Sequence, residues 1–446
     1  MKRSAAYLCA TILVGVALLA PTGAHAQEAP PAQPASADFS SLEPRSAGVS
    51  YYVSGTGDDA ADGRSESSAF RTLQKAADLT LPGDTVWVMN GTYTRTEAEY
   101  TPASDGVNSD ILRVTRSGEP DNYIQYKAYP GAKPLVKLDG NYAGIQISAS
   151  YIVIEGMTVQ GYNPSIDPAE ATRRALLPVE QVDEALFNSD FQGNGIFAFP
   201  REGRYPHHLI IRGNHVFDCP GTGIAANAAD YVRVEGNRVH NNNYYSPYAN
   251  SGISFYQSRD FDESTGTKFF IRKNITYRNE NKVPFWFSST DPAQRVISDG
   301  NGIIVDDNRG TQSPTGTPYR GAFLIENNIA FDNGGRGINI FESDNIEIRQ
   351  NVTYRNARVV SPWIDSEFQI GASGNIDVIE NVMVARSDRK IVGQYLSEEL
   401  TFTDNIFLGG NGKDDFPAGV TRSGLLSAEN RRDLSDALRS LKNAGG

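Results

Sequence analysis

Ile325-Glu326-Asn327-Asn328 returns 23 residues later as Ile348-Arg349-Gln350-Asn351, and this recurrence decides how the rest of the chain reads. Five more strings share the form, an apolar-x-x-Asn step followed by a strand-like run: Ile211-Arg-Gly-Asn214, Val234-Glu-Gly-Asn237, Ile271-Arg-Lys-Asn274, Val378-Ile-Glu-Asn381 and Phe402-Thr-Asp-Asn405. Val153-Ile-Glu-Gly156 carries Gly in place of Asn. Subtracting successive Asn numbers gives 23, 37, 54, 23, 30 and 24, a short unit with insertions. A unit of about 23 residues fits one coil of three short strands and three turns, at roughly 3.3 Å per residue. A second mark falls between the Asn positions, at Gly144-Ile145, Gly195-Ile196, Gly223-Ile224, Gly252-Ile253, Gly302-Ile303 and Gly337-Ile338. Stacked coils would place each Ile above the last in a continuous apolar column. The Asn amides would then bond one another at a shared turn. No single coil buries its own face, so the unit must repeat. Leucine-rich repeats would need Leu columns, and propeller blades about 40 residues per unit. The expected fold is therefore all-β, a right-handed parallel β-helix.

The ends divide the chain further. Lys2 and Arg3, an apolar stretch from Ala5 to Ala20, and Ala24-His25-Ala26 follow the order of a secretory signal over residues 1–26. The apolar run is short for a membrane span, which needs roughly 20 residues. Cys9 lies within it and not after the cleavage site, so no lipid anchor is expected. The remaining cysteine, Cys219, cannot form an internal disulfide and reads as a buried small residue. Residues 27–47, rich in Ala, Pro and Ser, read as a disordered linker. Residues 48–420 read as the helix domain and 421–446 as a tail. Lys413 to Thr421 reads as a loop. Ala428 to Asn443 reads as an amphipathic helix with Leu434, Leu438 and Leu441 on one face. The net charge of −12 becomes about −14 once Lys2 and Arg3 are removed, which argues against nucleic acid or an anionic membrane as partner. A secreted monomer acting on an extracellular polysaccharide is expected.

Ahead of the coils, Tyr51-Tyr-Val-Ser alternates as a strand, and Thr72 to Asp78 reads as a helix with Leu73 and Ala76 apolar. Laid across the first coil, that helix would protect an open sheet edge. Tyr52-Val-Ser-Gly-Thr-Gly57, Asp62-Gly63, Phe70-Arg-Thr-Leu-Gln-Lys-Ala-Ala-Asp78, Pro82-Gly-Asp-Thr85 and Asn90-Gly-Thr-Tyr93 together resemble the entry to pectate-lyase-like β-helices. The similarity is greatest to family-nine pectate lyases and to chondroitinase B-like and alginate lyases. With the Asn strings it spans residues 51 to about 410. It implies the fold and export; the scaffold hosts lyases, hydrolases, epimerases and binding proteins. The family-nine lyases use an acidic Ca²⁺ cluster and a lysine base, but their ligand motif does not map onto this chain residue by residue.

If each Ile points inward, period two turns Gln146, Phe197, Phe199, Asn227, Ser254, Tyr256, Asp306, Asn339 and Phe341 outward. Insertions at 243–250 and 280–299 precede Gly-Ile strands, and those at 257–269 and 308–321 follow them. Such loops would wall a groove over this sheet. The expected sugar contacts are Tyr256, Asn227, Asn339, Phe341, Trp286 of Pro284-Phe-Trp-Phe287, and Tyr248. The densest chemistry is Asp299-Gly-Asn-Gly-Ile-Ile-Val-Asp306-Asp307-Asn308. Asp299, Asp306 and Asp307 could supply part of a Ca²⁺ site, or alternatively cap turns. β-Elimination would need a cation for the uronate carboxylate and a base within reach of the proton. Arg336, His240 and Lys282 are the candidates, beside Asp306. His207-His208 reads as a turn.

The leading expectation is a lyase that cleaves a uronate polysaccharide by β-elimination; the alternatives are a glycoside hydrolase using Asp299, Asp306 and Asp307 and a non-catalytic carbohydrate binder. Of the Asn-Thr-Asp, Gly-Asp-Asp, Gly-His-Gly and Arg-Ile-Lys motifs of polygalacturonase-like helices, only Gly57-Asp58-Asp59 occurs, outside the coils.

Overall fold

A computed structural model describes residues 38–95, 109–178, 191–313 and 316–417. The signal segment 1–26, the residue-421 boundary and the helix expected at Ala428–Asn443 lie outside the described residues. Within them, three parallel sheets of nine, eleven and ten strands wind into a right-handed parallel β-helix. In each full coil the Gly-Ile strand belongs to the first sheet, the strand leading to Asn to the second, and the strand after Asn to the third. Ile303–Asp306, Ala322–Glu326 and Ile329–Phe331 form one such coil.

Register is uniform along the first sheet. Ile145, Ile196, Ile224, Ile253, Ile303 and Ile338 pair in line, followed by Phe368 and Val392, and all eight belong to one buried core. The structure explains the Gly before each Ile. A Cβ on Gly195 would lie 2.3 Å from Val216 Cγ1, and one on Gly223 2.4 Å from Val239 Cγ1. The first sheet therefore enters its corner too close to the third for any side chain.

The Asn strings form the expected ladder from Asn214 to Asn405. Each Oδ1 accepts the backbone N–H and Nδ2 of the preceding coil's Asn, as in Asn274 to Asn328 at 3.0 Å for both. A second ladder, which the sequence reading missed, stacks Asn242, Asn279, Asn333 and Asn356 at the corner after the third sheet. Its members sit five residues after Asn237, Asn274, Asn328 and Asn351; that spacing was the available signal.

Glu367 ends this second ladder. It stands in line with Gly337, where earlier coils have glycine, and its carboxyl accepts Asn356 N at 2.7 Å as well as Asn356 Nδ2. Burial pushes its pKa up to about 8, against the pull of the Asn356 donors. The native state therefore keeps a proton that the unfolded chain loses near pH 4.5. Stability is full below that pH, falls as pH rises toward about 8, and is flat above, a total of about 3–5 kcal/mol. Glu367→Gln should remove this slope. Chemical denaturation at pH 5 and pH 8.5 should show a smaller loss in the variant than in the wild type.

The N-terminal edge is closed as expected. Helix Leu73–Ala77 buries Leu73, Ala76 and Ala77. Its Gln74 side chain donates to Arg113 O at 3.1 Å and accepts Arg113 N at 2.8 Å. It thereby satisfies the backbone of edge strand Asp110–Val114.

Two expectations are corrected. Residues 38–47 are not a free linker, because they run over the outer face of the second sheet. Arg233 Nη1 donates to Leu42 O at 2.6 Å, Arg212 pairs with Glu43 at 2.7 Å, and Gln125 Nε2 donates to Arg45 O at 3.1 Å. Phe39 packs among His208, Tyr231 and Phe270, so one aromatic outweighs the polar composition around it. His207-His208 is also not a turn. It starts strand His207–Arg212, with His208 stacked on Tyr231 at 4.4 Å. Cys219 is buried and free. At the far end Phe416 packs on Phe407. Among the described residues no helix is long and apolar enough to cross a membrane.

Candidate active site

The outer face of the first sheet carries two parallel rows. Gln146, Phe197, Ala225, Ser254, Ile304, Asn339 and Gln369 form one; Asn227, Tyr256, Asp306, Phe341, Gly371 and Tyr395 form the other. The alternation predicted from the Ile column thus sets Asn227, Tyr256, Asp306 and Phe341 in one line, with Asn339 beside it. Tyr395 and Gln369 extend the rows. Sequence reading did not reach them because the last two coils have no Gly-Ile mark.

Asp306 ends its strand on the groove floor. Gln312, from the loop that follows, donates through Nε2 to Asp306 Oδ1 at 2.9 Å and to Glu342 Oε2 at 3.0 Å. Desolvation raises the Asp306 pKa well above the usual carboxylate range; the charges of Asp299, then Asp307, add to it, and Gln312 opposes them. Oδ1 already accepts an N–H, so a proton on this carboxyl would sit on Oδ2.

Asp299 lies in the turn before the same strand, with φ 58°. Its Oδ1 accepts Asn301 Nδ2 at 2.7 Å and its Oδ2 accepts Ser298 Oγ at 2.8 Å. Burial raises its pKa, while the Arg336 charge and hydrogen bonds from Ser298, Asn301 and Asn339 pull it down. Arg336 is only 4% exposed; it donates to the Trp363 carbonyl and shares its charge with Asp299 and Asp365. The charge of Asp299 acts on both of its expected neighbours, Asp306 and Arg336, and the buried Arg336 Nε has no hydrogen-bond partner among the described residues. Two like acids thus occupy unlike surroundings, the condition that separates acid from base.

Other expected site residues fall elsewhere. Asp307 turns away from the floor at φ 50°. Its carboxylate accepts Thr311 N at 2.6 Å, Gln312 N at 3.1 Å and Gln257 Nε2 at 2.7 Å, which ties the 308–321 wall to the preceding coil. Among the described residues no group of three or more His, Cys, Asp or Glu is arranged to hold a metal. Asp299, Asp306 and Asp307 form no such group, and a Ca²⁺ cage needs six to eight oxygens.

His240 is not in the groove. It faces out from the third sheet, stacked between Phe217 at 5.3 Å and Tyr277 at 4.5 Å, with its Nε2 2.8 Å from that of His215. Burial, with the neighbouring His215 and Arg238, pushes its pKa down to about 3. Trp286 is not a sugar platform either. At 2% exposure it is the core of the upstream wall, with Val283, Tyr245, Phe191 and the alanines Ala171 and Ala175 of helix Pro168–Ala175. Tyr248 packs edge-on against it at 5.2 Å. That helix was not foreseen; without it the aromatics of Pro284–Phe287 read equally as sugar contacts or as a small core that holds the loop down, and the structure takes the second. Lys282 projects from the same wall, its ammonium 3.7 Å over the Tyr244 ring and its pKa lowered by burial against the pull of Glu280.

Residues 51–369 match the family described as the Pel9A-like, right-handed β-helix region. The chain belongs to this family. The chain is also similar, at low identity, to solved structures. Pectate lyase Pel9A is 14% identical over 86% of this chain and 84% of its own, with a TM-score of 0.41. A GH136 lacto-N-biosidase from Eubacterium ramulus is 14% identical over 79% and 68%, with a TM-score of 0.41. An alginate lyase from Paenibacillus sp. str. FPU-7 is 12% identical over 76% and 93%, with a TM-score of 0.41. No curated protein matches the sequence. These likenesses concern the fold.

Proposed function

We propose that this Pel9A-like chain is an exported, monomeric carbohydrate-active enzyme that hydrolyses glycosidic bonds, with Asp306 as general acid and Asp299 as the partner carboxylate. The supporting observation is the contrast between Asp299, in the turn before strand Ile303–Asp306, and Asp306 at its end. Burial raises the pKa of both; Asp306 also faces other negative charges and is raised further, whereas Arg336, Ser298, Asn301 and Asn339 hold Asp299 back. In the proposed reaction the Asp306 Oδ2 proton passes to the glycosidic oxygen as the bond to the anomeric carbon breaks. Asp299 stabilises or captures the developing cation, or draws the proton from a water that attacks it. Water's hydroxyl ends on the anomeric carbon and its other proton returns to the carboxylates. Arg336 and Asn339 position Asp299.

β-Elimination is the second reading, favoured by the family match. It would use the lowered Lys282 as base, and that side chain is held over Tyr244 on the wall. A polysaccharide panel read by reducing ends and by ultraviolet absorbance separates the two. Hydrolysis releases reducing ends without absorbance. Absorbance rising in step with cleavage would overturn the hydrolase in favour of the lyase, and no cleavage across the panel would overturn both.

A further inference from the structure

The row that holds Asp306 sets the acid in the middle of a run of rings. Asn227, Tyr256, Asp306, Phe341, Gly371 and Tyr395 pair in line on consecutive strands of the first sheet. Phe199 extends the row upstream, because Ala198 pairs with Ala226 and the next residue falls beside Asn227. Asp306 therefore has Tyr256, Asn227 and Phe199 on the three strands before it, and Phe341, Gly371 and Tyr395 on the three after. Neighbouring strands lie about 4.8 Å apart, so the row reaches about 14 Å to either side of the acid.

The outermost rings are the open ones. Phe199 is 41% exposed and is backed by Phe197, whose ring centroid lies 5.2 Å away. Tyr395 is 43% exposed, and its ring leans back over Gly371, where a Cβ would sit 2.6 Å from Cζ. It meets Phe341 at 6.5 Å. The charges of Arg336, Glu342, Asp299 and Asp306 all reach its hydroxyl, so the ring belongs to the same groove as the acid. Exposed rings gain by covering an apolar face, and a pyranose offers one on its C–H side. Asn227, half-buried between Phe199 and Tyr256, adds an amide for the hydroxyls. One strand step is close to the length of one sugar in an extended chain, so the row and a glycan share a repeat.

We infer that the floor binds an extended glycan lengthwise, with Phe199 and Tyr395 as ring subsites on opposite sides of Asp306, which makes any cleavage there internal. The position of the scissile bond rests on the Asp306 reading; the two ring subsites do not. The test titrates the full chain carrying Asp306→Asn with oligosaccharides of pectate, alginate and glucuronan and of their carboxyl-reduced forms. Lengths of about three and about six sugars are compared, the longer matching the strand steps from Phe199 to Tyr395. In at least one series the longer should bind more than tenfold tighter. Phe199→Ala and Tyr395→Ala should each narrow that ratio severalfold, and Tyr395→Phe, which keeps the ring, should not. With Asp306 restored, the longer oligosaccharide should be cut within, and the two alanine substitutions should move the cut in opposite directions. Binding of no series, a ratio that either alanine substitution leaves unmoved, or release of terminal sugars only would each overturn the inference. The hydrolase reading fails separately, by unsaturated products or by binding without any product.

Discussion

Asp306→Asn should lower turnover on the glycan that the wild type cleaves by roughly 10²–10⁴-fold, the usual contribution of a positioned general acid. Folding and ligand affinity should stay near the wild-type level. Asparagine can keep an acceptor where Gln312 Nε2 donates at 2.9 Å, and it introduces no charge beside Asp299 and Glu342. What it lacks is the transferable proton. The pH dependence follows from the same charges. The acid must be protonated to act, so activity falls as pH rises through the raised Asp306 pKa. Glu342→Gln removes one of the charges that raise it, so the alkaline limb of the rate profile should move to lower pH. An Asp306→Asn enzyme retaining more than a tenth of wild-type kcat would move the acid role elsewhere.

The largest stability effect is expected at the centre of the first Asn ladder. Asn328 Oδ1 accepts Asn274 N and Nδ2, each at 3.0 Å, while its Nδ2 donates to Ile271 O at 2.8 Å and to Asn351 Oδ1 at 2.9 Å. Asn328→Ala removes all four bonds and leaves the Asn274 N–H and the Ile271 carbonyl buried with their side-chain partner gone. At about 1–3 kcal/mol for each stranded group, the cost is about 3–5 kcal/mol, and a lower thermal midpoint should report it. Since each coil touches mainly its neighbours, cleavage by a protease at low dose should begin near residues 271–330. A loss under about 1 kcal/mol would mean that water takes over the ladder.

The fold was legible because its cause is periodic. An Ile that must stack on the Ile one coil below, and an Asn that must bond the Asn above, leave marks at a fixed spacing that insertions interrupt without erasing. The outward rows followed from the same parity, so Asp306, Tyr256, Asn227 and Phe341 could be set in one line before any coordinates. Where a side chain's surroundings come from a distant segment, the reading failed. Trp286 stood between a sugar platform and a loop core until helix Pro168–Ala175 supplied its cover. Asp307 read either as a metal ligand or as the start of a polar loop, and its left-handed backbone turns it into the wall. His240 was placed by its position before an insertion, but its strand belongs to another sheet. Tyr395 was missed because its coil has no Gly-Ile mark from which to count the alternation.

The segment 38–47 lies on the eleven-stranded face, whereas the acid pair opens from the nine-stranded one. A tether attached ahead of Asp38 would therefore pull on a side of the prism that takes no part in the chemistry. Molecules immobilised on a bead through that end should present their troughs to the medium, and capture long polymers as freely as molecules in solution.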